Sequence, residues 1–288
     1  MKKPFLLAAT FGALLIGAAA CAPVKILNTI TPSGSFDREK DISYGALERQ
    51  KLDIYRAEKP RPDSPVIIFV HGGSWDSGSK DLYKFLGQGL TSEGFDVVIP
   101  NYRLYPEVRY PKMIEDTAQA IAFTTQQFPG REFIVMGHSA GAYNSLMAVM
   151  KPTFHPGGSS AMCSKIKGLV SLAPPTGVIS LVEEPYITIF PERFLGEDAP
   201  LRNASTPIPP VLFIHGMKDT TVYPQNSQML ADKISVRGGS AVVKTYADLN
   251  HTDVIKVISK YFDGGSTLKS DVIEFIDNLD SDKRNFCQ

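Results

Sequence analysis

Phe133-Ile134-Val135-Met136-Gly137-His138-Ser139-Ala140-Gly141 is the stretch that decides the fold. Its four leading apolar residues, with no polar alternation, predict a strand buried on both faces. They run into a turn of the form G-x-S-x-G, and an Ala-rich segment of helical period follows from Ala140 to Met150. In so sharp a strand-to-helix turn, the residues two before and two after the serine must be small for the backbones to pass. Gly137 and Gly141 meet that need. The turn presents the Ser139 hydroxyl at the start of a helix, where free N–H groups and the helix dipole favour developing negative charge. Ser139 is the candidate nucleophile.

Outward from this point the chain alternates strand and helix patterns. Strands are predicted at Lys51–Tyr55, Val66–Val70, Asp96–Pro100, Phe133–Met136, Gly168–Leu172, Val211–Ile214 and Val242–Tyr246. Several are continuous Val/Ile/Phe runs of the kind that parallel sheets bury. Helices are predicted at Asp81–Ser92, Met113–Gln127, Ala140–Met150, Pro224–Val236 and Leu268–Leu279. This order implies an α/β fold, a doubly wound and mostly parallel sheet with helices on both faces. From about 176 to 207 the rhythm breaks at Pro185, Pro191 and Pro200, which predicts a short cap over the C-terminal edge of the sheet. Sheets of this type carry their chemistry at that edge.

A serine hydroxyl needs a general base, and the base needs an orienting acid. Behind a G-x-S-x-G turn the chain order is serine, then acid, then histidine, so of the five histidines only His215 and His251 lie late enough, and His215 sits at a strand end, too early to follow an acid there. His251, in the loop after the last strand, is the candidate base. The acid is expected after the penultimate strand, in His215-Gly216-Met217-Lys218-Asp219, which selects Asp219. Asp248 and Asp253 compete by proximity to His251 in sequence. Neighbours on the same loop hold an imidazole ring poorly, so both are expected to be turn residues.

The strand Val66–Val70 ends in His71-Gly72-Gly73-Ser74-Trp75. A carbonyl oxygen that becomes an oxyanion needs preorganised donors. The N–H groups of Gly73, Ser74 and Ala140 are expected to supply them, with Gly72 as the hinge. His71 is expected to brace the loop and Trp75 to pack it against the sheet.

Composition narrows the class further. The 288 residues are 43% hydrophobic and 21% charged, with 30 basic and 30 acidic side chains. A nucleic-acid binder would carry a basic excess, and none exists. Disorder is excluded by the apolar content, and roughly 250 residues after trimming the ends suit one large domain. Met1-Lys2-Lys3, the uncharged run Phe5–Ala20 and Ala18-Ala19-Ala20-Cys21 form a leader (residues 1–20) that implies export to the bacterial cell envelope. Small residues directly before Cys21 resemble a lipobox, where the cysteine becomes the acylated first residue of a lipoprotein. Plain cleavage at an Ala-x-Ala site and an uncleaved anchor stand as alternatives. Residues 21–40 are expected to be a tether and 41–288 the folded domain. Cys163 and Cys287 are an even pair in an oxidising compartment, compatible with a disulfide or with two free thiols. The charge runs Arg38-Glu39-Lys40-Asp41 and Asp280–Arg284 are expected to be solvated.

Taken together, His71–Trp75, Asn101-Tyr102-Arg103-Leu104, Gly137–Gly141, the Asp219 loop, His251 and Leu52-Asp53-Ile54-Tyr55 resemble the α/β-hydrolase superfamily. Within it they are similar to esterases with an HGG-x-W loop, a group that includes carboxylesterases, prenylcysteine methylesterases, feruloyl and acetyl esterases and kynurenine formamidase. The resemblance runs from about Ile42 to Leu279. Ser74 replaces the third Gly of the hormone-sensitive lipase branch. The resemblance implies a serine hydrolase with no metal and no organic cofactor, acting on a small-molecule ester. The short cap, with Leu181, Tyr186, Ile187, Phe190 and Phe194, favours short-chain or aryl esters. An arylformamidase-type amide hydrolase is the alternative activity, and a non-catalytic binding module the alternative class.

Overall fold

Side chains along the central strands alternate between two hydrophobic cores, and this period of two sets the layering. Val66, Ile68 and Val70 face one core with Phe133 and Val135, while Ile67 and Phe69 face the other with Ile134 and Met136. The computed structural model describes residues 24–34, 36–156, 163–177, 185–190, 199–204 and 208–279. Its strands are β1 (Phe36–Ser43), β2 (Lys51–Ala57), β3 (Val66–Val70), β4 (Val97–Pro100), β5 (Phe133–His138), β6 (Ile166–Leu172), β7 (Val211–Gly216) and β8 (Ala241–Tyr246). They form one sheet in the order β1-β2-β4-β3-β5-β6-β7-β8. From β4 to β8 every pairing is parallel, and β2 pairs antiparallel with both β1 and β4.

The helices follow as α1 (residues 24–30), α2 (Lys84–Thr91), α3 (Lys112–Gln127), α4 (Ala140–Met150), α5 (Tyr186–Ile189), α6 (Pro200–Asn203), α7 (Gln225–Val236), α8 (Asp253–Lys256) and α9 (Leu268–Asp277). Ile121 of α3, Leu146 of α4 and Leu230 of α7 pack on one face of the sheet. Leu86 of α2, Ile255 of α8 and Val272 of α9 cover the other. This is the α/β-hydrolase architecture, and all seven expected strands are present in it.

Two expectations need correction. The tether does not run to residue 40, because 24–30 is helical, with Val24 and Leu27 buried, and β1 begins at Phe36. β1 is an edge strand with only Phe36 buried, so it lacks the apolar alternation that reveals a strand. Nor is the run 38–41 wholly solvated. Arg38 turns inward to a buried ion network described below, while Asp41 stays exposed and reaches that network from the surface. The leader with Cys21, the Cys163 side chain, Cys287, Asp280–Arg284 and cap residues 178–184, 191–198 and 205–207 lie outside the described residues.

Candidate active site

Four parallel strands bring their C-terminal ends to one edge of the sheet, and each delivers one part of the site. β5 runs straight into Ser139, whose φ of 53° and ψ of −123° are strained for a non-glycine residue. A Cβ on Gly137 would lie 2.5 Å from the Gly141 carbonyl oxygen, and one on Gly141 would lie 2.2 Å from that of Val70. The close packing inferred for these two glycines is therefore backbone on backbone. Ser139 N–H donates to Leu172 O at 2.9 Å, which fixes the turn to β6.

The structure brings Ser139, His251 and Asp219 into one line. His251 Nε2 accepts from the Ser139 hydroxyl at 2.9 Å, and its Nδ1–H donates to Asp219 Oδ2 at 2.7 Å. These residues stand 112 and 32 positions apart in the chain. Asp219 is buried, and burial alone would raise its pKa. Hydrogen bonds from His215 and His251 outweigh that and hold the carboxyl well below the usual carboxylate range. The Thr221 and Val222 N–H groups also donate to its Oδ1, each at 2.9 Å. Asp219 is thus a fixed anion at neutral pH. Asp248 is exposed and pairs with Lys218 at 2.7 Å, while Asp253 caps the Asn250 N–H within its own loop. Neither contacts the His251 ring.

The loop after β3 lies against the elbow, because β3 and β5 are neighbours with Val70 opposite Gly137. Its turn is built from three successive positive φ values, 128° at Gly73, 51° at Ser74 and 63° at Trp75. Gly72, expected as the hinge, has no such φ. Its requirement is space, since a Cβ there would stand 3.2 Å from the Ser139 Cβ. Among the described residues, the N–H groups of Gly73, Ser74 and Ala140 donate to no backbone carbonyl. Trp75 Nε1–H donates to Asn144 Oδ1 at 2.8 Å and pins the loop to α4. The Trp75 ring meets Tyr143, Phe190 and Tyr186 edge-on at 5.3, 4.8 and 6.1 Å, so cap residues Tyr186 and Phe190 rest on this loop. His71 braces the loop as expected. Its Nδ1–H donates to Gly72 O at 2.8 Å, its ring stacks on Tyr102 at 4.5 Å, and burial lowers its pKa to about 4.

Two contacts escaped the sequence. The His215 Nε2–H donates to Val222 O at 2.8 Å and lies 3.3 Å from Asp219 Oδ2, while Ser227 donates to its Nδ1 at 2.7 Å. The spacing of four from His215 to Asp219 was the available signal. The second contact is made by His138, whose Nε2–H donates to His251 O at 2.8 Å. No sequence pattern marks that contact.

Comparison with known proteins places this geometry. The chain is 27% identical over 270 residues to an isoprenylcysteine alpha-carbonyl methylesterase from Arabidopsis thaliana, covering 84% of this chain and 63% of the relative. It is 27% identical over 215 residues to a kynurenine formamidase from Meyerozyma guilliermondii, covering 69% and 81%. The chain thus spans less than two thirds of the length of that methylesterase. Among solved structures, esterase B from Lactobacillus rhamnosis superposes with a TM-score of 0.76 at 18% identity, over 92% of this chain and 93% of that one. This last likeness speaks for the fold. The BD-FAE family model matches residues 52–234, from β2 through most of α7, and the chain belongs to the BD-FAE family.

Proposed function

We propose that this protein is a serine ester hydrolase that works through an acyl-enzyme. The observation that carries the proposal is the unbroken relay from the Ser139 hydroxyl through His251 to Asp219, beside three backbone N–H groups that donate to no backbone carbonyl. His251 takes the hydroxyl proton on Nε2 as Ser139 Oγ attacks the ester carbonyl carbon. Asp219 keeps the ring in the tautomer with its proton on Nδ1 and stabilises the imidazolium that forms. The N–H groups of Gly73, Ser74 and Ala140 receive the oxyanion. His251 then protonates the departing alcohol, and water repeats the sequence on the acyl-enzyme. None of these steps calls for a metal or an organic cofactor.

Short-chain or aryl esters are the proposed substrates. Trp75, Tyr186 and Phe190 pack edge-on and hold a short cap against the oxyanion loop, and a short cap supports a compact acyl or aryl group. The names of the methylesterase and formamidase relatives agree with small carbonyl substrates. Ser139→Ala is expected to lower turnover of p-nitrophenyl butyrate by about 10⁴-fold or more, with folding retained and fluorophosphonate labelling lost. Near-normal turnover by that variant would remove Ser139 from the mechanism. A panel of p-nitrophenyl acetate, butyrate and laurate with N-formylkynurenine separates the substrate readings. The formyl amide turned over best would make the protein an amide hydrolase instead.

Acylation of Cys21, and with it attachment to the cell envelope, is the proposal for the leader. Mass spectrometry of the N-terminal peptide tests it, and an unmodified Cys21 in the mature protein sinks it.

A further inference from the structure

We infer that His138 is a positioning residue for the base: its imidazole grips the backbone of His251 and so fixes the point from which that ring addresses Ser139. The inference rests on the catalytic reading of Ser139, His251 and Asp219. His138 is the last residue of β5, buried, and adjacent to the nucleophile. Its Nε2–H donates to the His251 carbonyl at 2.8 Å, and the two rings lie 4.9 Å apart at 42°. Other ties of the base loop fall on neighbouring residues. Lys218 N–H holds Leu249 O at 3.0 Å, and Asn250 and Asp253 bond to each other within the loop. Among the described residues, the His251 backbone is joined to another element by the His138 bond.

The opposite edge of the ring carries the argument further. A Cβ on Gly72 would stand 3.0 Å from His138 Nδ1, so the imidazole is wedged between the oxyanion loop and the base loop. His138 Nδ1 is buried with no partner among the described residues. A buried polar atom left unpaired costs stability, and a leucine or methionine of similar size would fill the space without that cost. Packing alone therefore does not explain a histidine here, whereas its N–H does. Burial and the neighbouring His251 lower the His138 pKa to about 3, so the ring is neutral and its single N–H is committed to the carbonyl. Catalytic geometry tolerates little slack, since a displacement of about 1 Å can cost 10²-fold in rate.

The decisive pair is His138→Met, which keeps the volume and removes the donor, and His138→Gln, which keeps an N–H. His138→Met is expected to lower kcat for p-nitrophenyl butyrate by about 10- to 100-fold with KM within about threefold. His138→Gln is expected to restore most of the lost turnover. Amide exchange over residues 249–252 should quicken in the Met variant and not in the Gln variant, with similar unfolding midpoints. Wild-type kcat in His138→Met, equal impairment in both variants, or a loss confined to KM would overturn the inference. If His138→Met does not fold, His138→Leu takes its place in the same comparison. Fluorophosphonate labelling separates the two levels. A wild type that resists labelling at Ser139 overturns the catalytic reading, and with it this inference. A labelled wild type with His138→Met labelled at the same rate overturns the positioning role alone.

Discussion

Around Ser139, at the centre of the sheet, backbone lies directly on backbone; around Asp53, at the sheet's first edge, charged side chains hold the chain. At the centre, Gly141 leaves no room for a single carbon against Val70 O and His71 O. At the edge, Asp53 is 0% exposed and accepts from Lys80 Nζ at 2.9 Å, from Asp41 N–H at 2.9 Å and from Arg38, while Lys80 also reaches Asp41 at 2.7 Å. Arg38 in turn lies 4.9 Å over the Tyr55 ring. The geometry around Ser139 is thus set by contacts that cannot relax, and the antiparallel edge by contacts that side chains can readjust. The β1–β2 hairpin carries no part of the relay, and it tolerates buried charge because each charge is paired.

The contrast can be broken at several points. Asp219→Asn should be the largest blow to the centre, lowering kcat by about 10⁴-fold, because the amide would hold His251 in the wrong tautomer while the fold survives. Steady-state kinetics alongside circular dichroism checks this, and a loss under tenfold would contradict it. Gly141→Ala comes next, since its methyl meets only main-chain atoms. A loss above about 4 kcal/mol is expected, seen as little soluble folded protein. Normal urea unfolding in that variant would show that the elbow can yield after all.

Lys80→Met strikes the edge instead. It should cost about 3 kcal/mol, at the low end for a broken buried pair because Arg38 still holds Asp53, and kcat of the folded fraction should stay at the wild-type level. A fall in kcat would join two regions that are separate on this account.

Counted per residue, the smallest effect comes from pH. His138 and His71 have folded pKa values of about 3 and about 4, below the unfolded value of about 6.5. As pH falls from 7 to 5 the unfolded chain takes up these protons and the folded chain does not. Stability should therefore decline below pH 6.5, by on the order of 2 kcal/mol per histidine at pH 5. Asp219 has the same sign of dependence in a more acidic window. Its lowered pKa adds stability above about pH 4 that is lost only on further acidification. Urea midpoints at pH 7, 6 and 5 test the histidine contribution, and an unchanged midpoint would contradict it. His71→Gln should flatten part of the decline.

The elbow was legible because its requirements are local: a buried strand, two small residues at fixed spacing, then a helical period. The β3 loop was legible for the same reason, although Gly72 was assigned a hinge where the need is space. Asp219 and His251 could be chosen from chain order and loop position. Their contact could not, because it depends on how far each loop reaches past its strand. β1 stayed hidden because an edge strand with one face in water has few apolar residues to alternate. Arg38 looked like a solvated charge because a sequence does not display the partners that make its burial tolerable.

By itself, then, the sequence determined the strand and helix order, the nucleophile turn and the residue types available for a proton relay, all consequences of periodicity and side-chain size within a few positions. Tertiary structure alone decided that His251 lies 2.9 Å from Ser139, that Asp219 is a fully bonded anion, and that His138 holds the His251 carbonyl. Those contacts join strand ends far apart in the chain, and only the packing of the whole sheet sets their distances.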